Sequence, residues 1–179
     1  MIANILNAIT LSRIFCAILI YLILFLESNY SLALFLFFVA SFSDFLDGYL
    51  ARKTDSVSVL GEILDPIADK LLIVFVLIGL SINLDSFLIG FMSAIIISRE
   101  IWVAALRDIN ARINQSDKTK VTFLAKTKTA IQMFAILMYL LGLTLNNMIV
   151  LFFADIVLII ALLITIQTGF QYTISTFKK

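Results

Sequence analysis

The chain has 179 residues, 62% of them hydrophobic and 14% charged, with a net charge of +1, one proline, one cysteine and no histidine. That composition excludes an ordinary soluble domain, and at roughly 20 residues per membrane helix about six spans would take up most of the length. Imidazole chemistry and histidine metal ligation are excluded, as is an intrachain disulfide, and no nucleic-acid partner is expected.

Six apolar stretches are legible, at about 5–26, 31–51, 63–82, 86–106, 128–145 and 148–171. The first lacks a basic leader and a small-residue cleavage site, so it reads as a retained span and not a signal peptide. Together they predict an all-α integral membrane protein of six transmembrane helices, with residues 1–179 forming a single domain. Lysines and arginines fall near the N-terminus, around the second–third and fourth–fifth connections, and in the C-terminal tail. The remaining connections carry none. Positive-inside bias then puts both termini and those two connections in the cytoplasm.

Taken in chain order, the first span carries Asn7, Thr10 and Arg13 at i, i+3 and i+6. Two readings of this stripe stay open: it faces a site, or it caps and anchors the helix. Cys16, further along, reads as a small buried hydrophobe. The second and third stretches hold the main signal, SDFLDGYLARKTDSVSVLGEILDPIADK. Asp44, Asp47, Gly48, Ala51 and Arg52 share one helical face, and so do Gly61, Asp65 and Asp69. Between them KTDSVS predicts a short polar turn, with Pro66 in the first turn of the following helix. Each carboxylate near lipid costs roughly 2.5–3.5 kcal/mol on insertion scales. Four of them on facing helices suit Mg²⁺ or Mn²⁺, with capacity for two ions. Gly48, Ala51 and Gly61 leave space against the backbone, and Arg52 offers a fork for phosphate. The pattern describes a cytoplasm-facing pocket for a metal-bound pyrophosphate. Pairing of the acids with Arg52, Lys53 and Lys70 alone would leave the set incompletely balanced.

The string Asp44-x2-Asp47-Gly48-x2-Ala51-Arg52-x8-Gly61-x3-Asp65-x3-Asp69 resembles the signature of the CDP-alcohol phosphatidyltransferase family of membrane enzymes. The resemblance implies a six-helix fold, usually homodimeric, with Asp44, Asp47, Asp65 and Asp69 holding two divalent cations. It further implies that the cytidine diphosphate lies against Gly48, Ala51, Gly61 and Arg52, and that Asp69 is the base for the attacking alcohol. One departure stands at Asn4-Ile5-Leu6-Asn7, where the family commonly has a proline.

A second, basic constellation bears on the acceptor. Arg99 and Arg107 lie at i and i+8 on the fourth stretch, and Lys126 and Lys128 open the fifth. Arg99 lies about two turns inside the apolar run, deeper than a topology signal requires, whereas Arg112, Lys118 and Lys120 read as anchors. These cations suit an acceptor phosphate. Within the family, the segments Arg99-Glu100…Ala105-Leu106-Arg107 and Lys126-x-Lys128-Thr129-x2-Gln132 are similar to members acting on glycerol 3-phosphate. The resemblance thus implies transfer of a phosphatidyl group from CDP-diacylglycerol to sn-glycerol 3-phosphate, in the bacterial cytoplasmic membrane with the site facing the cytoplasm. A cardiolipin synthase using phosphatidylglycerol is the rival within that chemistry. A cation transporter is the rival outside it, although its carboxylates belong near mid-membrane. Asp155, in the last span, has no counterpart in the pattern and is expected to face protein or the far interface.

Overall fold

The computed structural model describes the backbone of residues 2–27, 29–54, 59–119 and 123–178, and side chains over 7–27, 29–43, 61, 63–115, 117–119, 124 and 127–178. Within that description the chain forms six long α-helices: α1 (Ile2–Leu22), α2 (Tyr30–Thr54), α3 (Val59–Asn83), α4 (Phe87–Arg112), α5 (Phe123–Thr144) and α6 (Met148–Phe177). A π-helical turn (Ile23–Glu27) follows α1, and a 3₁₀ turn (Ser116–Thr119) follows α4.

Three of the connections end their helices in the same way, and the residues explain it. Asp85, Asn114 and Asn146 take positive φ values of 45°, 56° and 50°. Short polar side chains tolerate this left-handed geometry better than other non-glycine residues. After each, the next amide turns back to a carbonyl five residues earlier: Ser86 to Ser81, Gln115 to Asn110, and Asn147 to Gly142. These bonds satisfy carbonyls that a helix end would otherwise orphan. Ser86 and Asn147 then cap α4 and α6, accepting from the amides of Ile89 at 3.3 Å and Ile149 at 2.9 Å. Asn29 caps α2 similarly, through the Leu32 amide.

Helix neighbours close a ring: α1 lies against α2 and α3, α3 against α4, α4 against α6, α6 against α5, and α5 against α2. Buried alanines allow the close approaches, among them Ala17 on α1, Ala33 and Ala40 on α2, Ala135 on α5, and Ala154 on α6. Around them pack Ile20, Phe37, Leu72, Leu77, Met92 and Leu140. Cys16 packs, half-buried, against that cluster as a small hydrophobe should. Gly142 lets α5 meet α6 at the hairpin, since a Cβ there would lie 2.8 Å from a Leu151 methyl.

The outer surface carries exposed Phe15, Phe35, Phe87, Phe91, Phe152 and Phe170, an apolar surface that water would not tolerate. Among the described residues four helical segments are long and apolar enough to cross a membrane: Asn7–Glu27, Phe87–Arg112, Thr127–Thr144 and Met148–Phe177. The protein is integral to the membrane.

One local expectation changes and another narrows to one of its two alternatives. Pro66 does not open α3, because the helix already begins at Val59; it lies inside, and having no N–H it withholds one intrahelical bond. Asp155 faces protein, where its Oδ1 accepts a hydrogen bond from the hydroxyl of buried Tyr139 across the α5–α6 hairpin. Tyr139→Phe should therefore destabilise the hairpin by about 1–3 kcal/mol, the loss of a hydrogen bond to a part-buried carboxylate. Thermal unfolding in detergent checks this, and an unchanged midpoint would show the pair to be energetically idle.

Candidate active site

On α3, a spacing of four residues puts Asp65 and Asp69 on one face, and both line a cavity of about 860 Å³ between α3, α4 and α5. Its charged lining is completed by Lys70 of α3, by Arg99, Glu100 and Arg107 of α4, and by Lys128 of α5. Ile73, Ile96 and Val103 supply part of the apolar wall. Acids and bases from 30 to 63 residues apart in sequence thus face the same space.

The carboxylates are held from α1. Thr10, 1% exposed, donates its hydroxyl to Asp65 Oδ1 at 2.8 Å. Arg13, fully buried, donates from Nη1 to Asp69 Oδ1 at 2.9 Å. The i, i+3 step on α1 matches the i, i+4 step on α3 across one of the most extensive helix contacts in the fold. Of the two readings of the α1 stripe, the one facing the site holds for Thr10 and Arg13.

The basic side of the cavity rests on α6. Arg99 Nε donates to the Thr165 carbonyl at 3.0 Å and its Nη2 to the Thr168 hydroxyl at 2.7 Å. Gly169 makes room for this side chain, since a Cβ there would meet Arg99 Cγ at 3.0 Å. Tyr172 turns its ring toward Arg99 and Arg107, with guanidinium carbons 5.9 and 5.5 Å from its centroid. Gln132 donates to the Thr165 hydroxyl at 3.0 Å. Arg107 differs from Arg99 in that its Nε is buried without a hydrogen-bond partner among the described residues. An orphaned cationic donor lining a cavity invites an anion.

Glu100 joins the three cavity helices. Its Oε1 accepts from Arg99 Nη1 at 2.8 Å and from Lys128 Nζ, and its Oε2 lies 3.9 Å from Lys70 Nζ. At the neighbouring helix ends, Lys118 reaches the Lys178 carbonyl at 3.0 Å and so closes the α6 terminus.

Sequence-predicted site residues divide accordingly. Asp65, Asp69, Arg99, Arg107 and Lys128 meet in the cavity. Gly61 lies one turn before Asp65 on α3 and is not among the described residues lining it. Asp44, Asp47, Gly48, Ala51 and Arg52 fall on α2 and Lys126 on α5, with side chains outside the described residues. Among the described residues no three metal-donor side chains converge, only two of the four aspartates being included. Sequence reasoning passed over Glu100 as a hub and missed the α6 support entirely. The signal was there: Thr165, Thr168, Gly169 and Tyr172 fall at i, i+3, i+4 and i+7 on an otherwise apolar helix.

Comparison with known proteins agrees with this geometry. The family model described as CDP-alcohol phosphatidyltransferase matches residues 3–167. A Rickettsia bellii protein named CDP-diacylglycerol–glycerol-3-phosphate 3-phosphatidyltransferase is 41% identical over 172 residues, covering 94% of this chain and 93% of the relative. Its Rickettsia felis namesake is 38% identical over 174 residues, with 94% and 93% covered. The Escherichia coli protein of the same name is 32% identical over 135 residues, 74% of each chain. With the aspartate signature, the helical architecture and matches of this extent in agreement, the chain belongs to the CDP-alcohol phosphatidyltransferase family.

Proposed function

We infer that the protein transfers the phosphatidyl group of CDP-diacylglycerol to sn-glycerol 3-phosphate, releasing CMP and forming phosphatidylglycerophosphate. One observation carries the reading: Asp65 and Asp69 open onto the same cavity as Arg99, Arg107 and Lys128. Carboxylates suited to a cation-bound pyrophosphate thus stand beside cations suited to a second phosphate. The relatives' shared name supplies the donor and acceptor.

Asp65 and Asp69 fit a hard divalent ion, being oxygen donors each anchored through one oxygen from α1. With Asp44 and Asp47 of α2 they would hold Mg²⁺ or Mn²⁺, two ions in all, which neutralise charge on the pyrophosphate. Gly48, Ala51, Gly61 and Arg52 border the cytidine diphosphate. Arg99, Arg107, Lys126 and Lys128 hold the acceptor phosphate and aim its hydroxyl at the phosphorus bearing diacylglycerol. As that P–O bond forms, the P–O bond to CMP breaks, and the hydroxyl proton passes to the Asp69 carboxylate. Positioning and charge complementarity carry most of the acceleration, no independent nucleophile being needed.

The same reading places all six helices across a bacterial cytoplasmic membrane as one domain, residues 1–179, with both termini and the site at the cytoplasmic face, and it makes the functional unit a homodimer. The basic connections support that orientation. Helix length supports the spans, since the 30 residues of α6 extend about 45 Å, beyond a hydrocarbon core of about 30 Å.

CMP release from CDP-diacylglycerol, measured with each acceptor in turn, tests the assignment. Glycerol 3-phosphate should support turnover and phosphatidylglycerol should not; the reverse would make the protein a cardiolipin synthase. Arg107→Ala should raise KM for glycerol 3-phosphate about tenfold or more, as loss of a charge-assisted bond predicts, with KM for CDP-diacylglycerol much less affected. Equal effects on both would remove Arg107 from the acceptor subsite.

A further inference from the structure

Glu100 is an acid in a place that should welcome only bases. It lines the cavity, is one-fifth exposed, and lies directly against two of the cations assigned to an incoming phosphate. A carboxylate there competes with any anion for the same N–H groups, so its presence needs a reason. Its geometry supplies one. A single oxygen, Oε1, accepts from Arg99 on α4 and Lys128 on α5, while Oε2 lies near Lys70 on α3. Without it, three cations from three helices would lose the one carboxylate that lies against all of them. Lys128 in particular is 5% exposed and has a long flexible stem, and its ammonium donates to Glu100 Oε1.

The bonding leaves donors over. Arg99 gives one N–H to Glu100, one to Thr165 and one to Thr168, and a guanidinium has further N–H groups beyond those. An ammonium likewise keeps donors after one is given to Glu100. These remaining groups are held in place before the ligand arrives. Ordering a lysine and an arginine on binding would cost affinity, and a pre-set pair avoids that cost.

We propose that Glu100 is a positioning residue of the acceptor subsite, fixing Arg99 and Lys128 so that their remaining donors receive the phosphomonoester of the acceptor. The proposal rests on the transferase reading above. Glu100 does not touch the reacting atoms; it acts through Lys128 and Arg99, and its effect belongs on acceptor KM.

Steady-state CMP release by purified full-length protein tests it, with glycerol 3-phosphate and CDP-diacylglycerol varied separately. Glu100→Gln keeps the shape and one accepting oxygen but loses the charge; it should raise KM for glycerol 3-phosphate about five- to tenfold, with kcat and KM for CDP-diacylglycerol changing less than about threefold. Glu100→Asp, which keeps the charge on a shorter stem, should fall between wild type and Glu100→Gln, and it serves as the test if the glutamine variant does not fold. In a Lys128→Ala background the Glu100→Gln change should add much less than it does alone, because the partner it acts through is gone. An unchanged or lowered acceptor KM in the folded single variants, or full additivity in the double variant, overturns the positioning role. Wild-type protein that releases no CMP with glycerol 3-phosphate would overturn the transferase reading and this proposal with it, whereas an active wild type with indifferent variants would overturn the proposal alone.

Discussion

Asp69→Asn is expected to reduce phosphatidyl transfer by at least about a thousandfold while the protein still inserts and purifies as wild type does. The structural half follows from the geometry and the catalytic half from the roles proposed for Asp69. Asp69 faces the cavity, and one of its oxygens accepts from Arg13. The asparagine amide keeps a carbonyl oxygen that can still accept that bond, so the α1–α3 contact survives. What disappears is the negative charge and the ability to take a proton from the acceptor hydroxyl. Loss of a general base alone typically costs about 10²–10⁴ in rate, and loss of a cation ligand adds to it. CMP release, read beside size-exclusion behaviour in detergent, measures the two separately. Near-normal turnover by the variant would remove both roles from Asp69.

Arg13→Met should have the next largest effect, and it should differ in kind. Arg13 is fully buried and its Asp69 partner is about one-quarter exposed. Removing one member of a buried pair typically costs about 3–5 kcal/mol, and the partial exposure of Asp69 puts this case at the lower end. The unfolding midpoint should therefore fall, and further than that of Asp69→Asn, which keeps an oxygen for the Arg13 hydrogen bond. Activity should fall by at least about tenfold, and the Mn²⁺ concentration needed for half-maximal rate should rise, because Asp69 is no longer aimed. Thr10→Val removes only a hydroxyl donor from Asp65 and should cost about 0.5–1.5 kcal/mol. A variant at Arg13 with an unaltered Mn²⁺ requirement would reduce the contact to a structural one.

Helical periodicity was enough to place Asp65 and Asp69 on one face and to put them on the helix that lines the cavity. The helix ends went unread in the sequence, although Asp85, Asn114 and Asn146 stand just where a left-handed residue is required. The stripe from Asn7 to Arg13 stayed ambiguous, because nothing in α1 says which of its neighbours it meets. Arg99 shows the same limit more sharply. Its depth marked it as unusual, but its partners Thr165 and Thr168 lie on a helix whose register against α4 no single sequence reveals. Glu100 was hidden by its sign, since a search for phosphate-binding cations passes over the acid that organises them. Asp155 looked anomalous only until its Tyr139 partner came into view across a hairpin.

The α6 stripe also bears on the order in which the protein can be built. Arg99 belongs to α4, yet the carbonyl and hydroxyl that satisfy it belong to α6. Until the sixth helix docks, a guanidinium two turns inside an apolar segment lacks those partners, at a cost of roughly 2.5–3.5 kcal/mol on insertion scales. That unmet demand favours capture of α6 by α4, and with it closure of the helix ring. Completion of the fold and the seating of Arg99 at the cavity therefore depend on the same contacts, so an assembly intermediate lacking α6 would hold a cavity whose arginine has lost its support from behind.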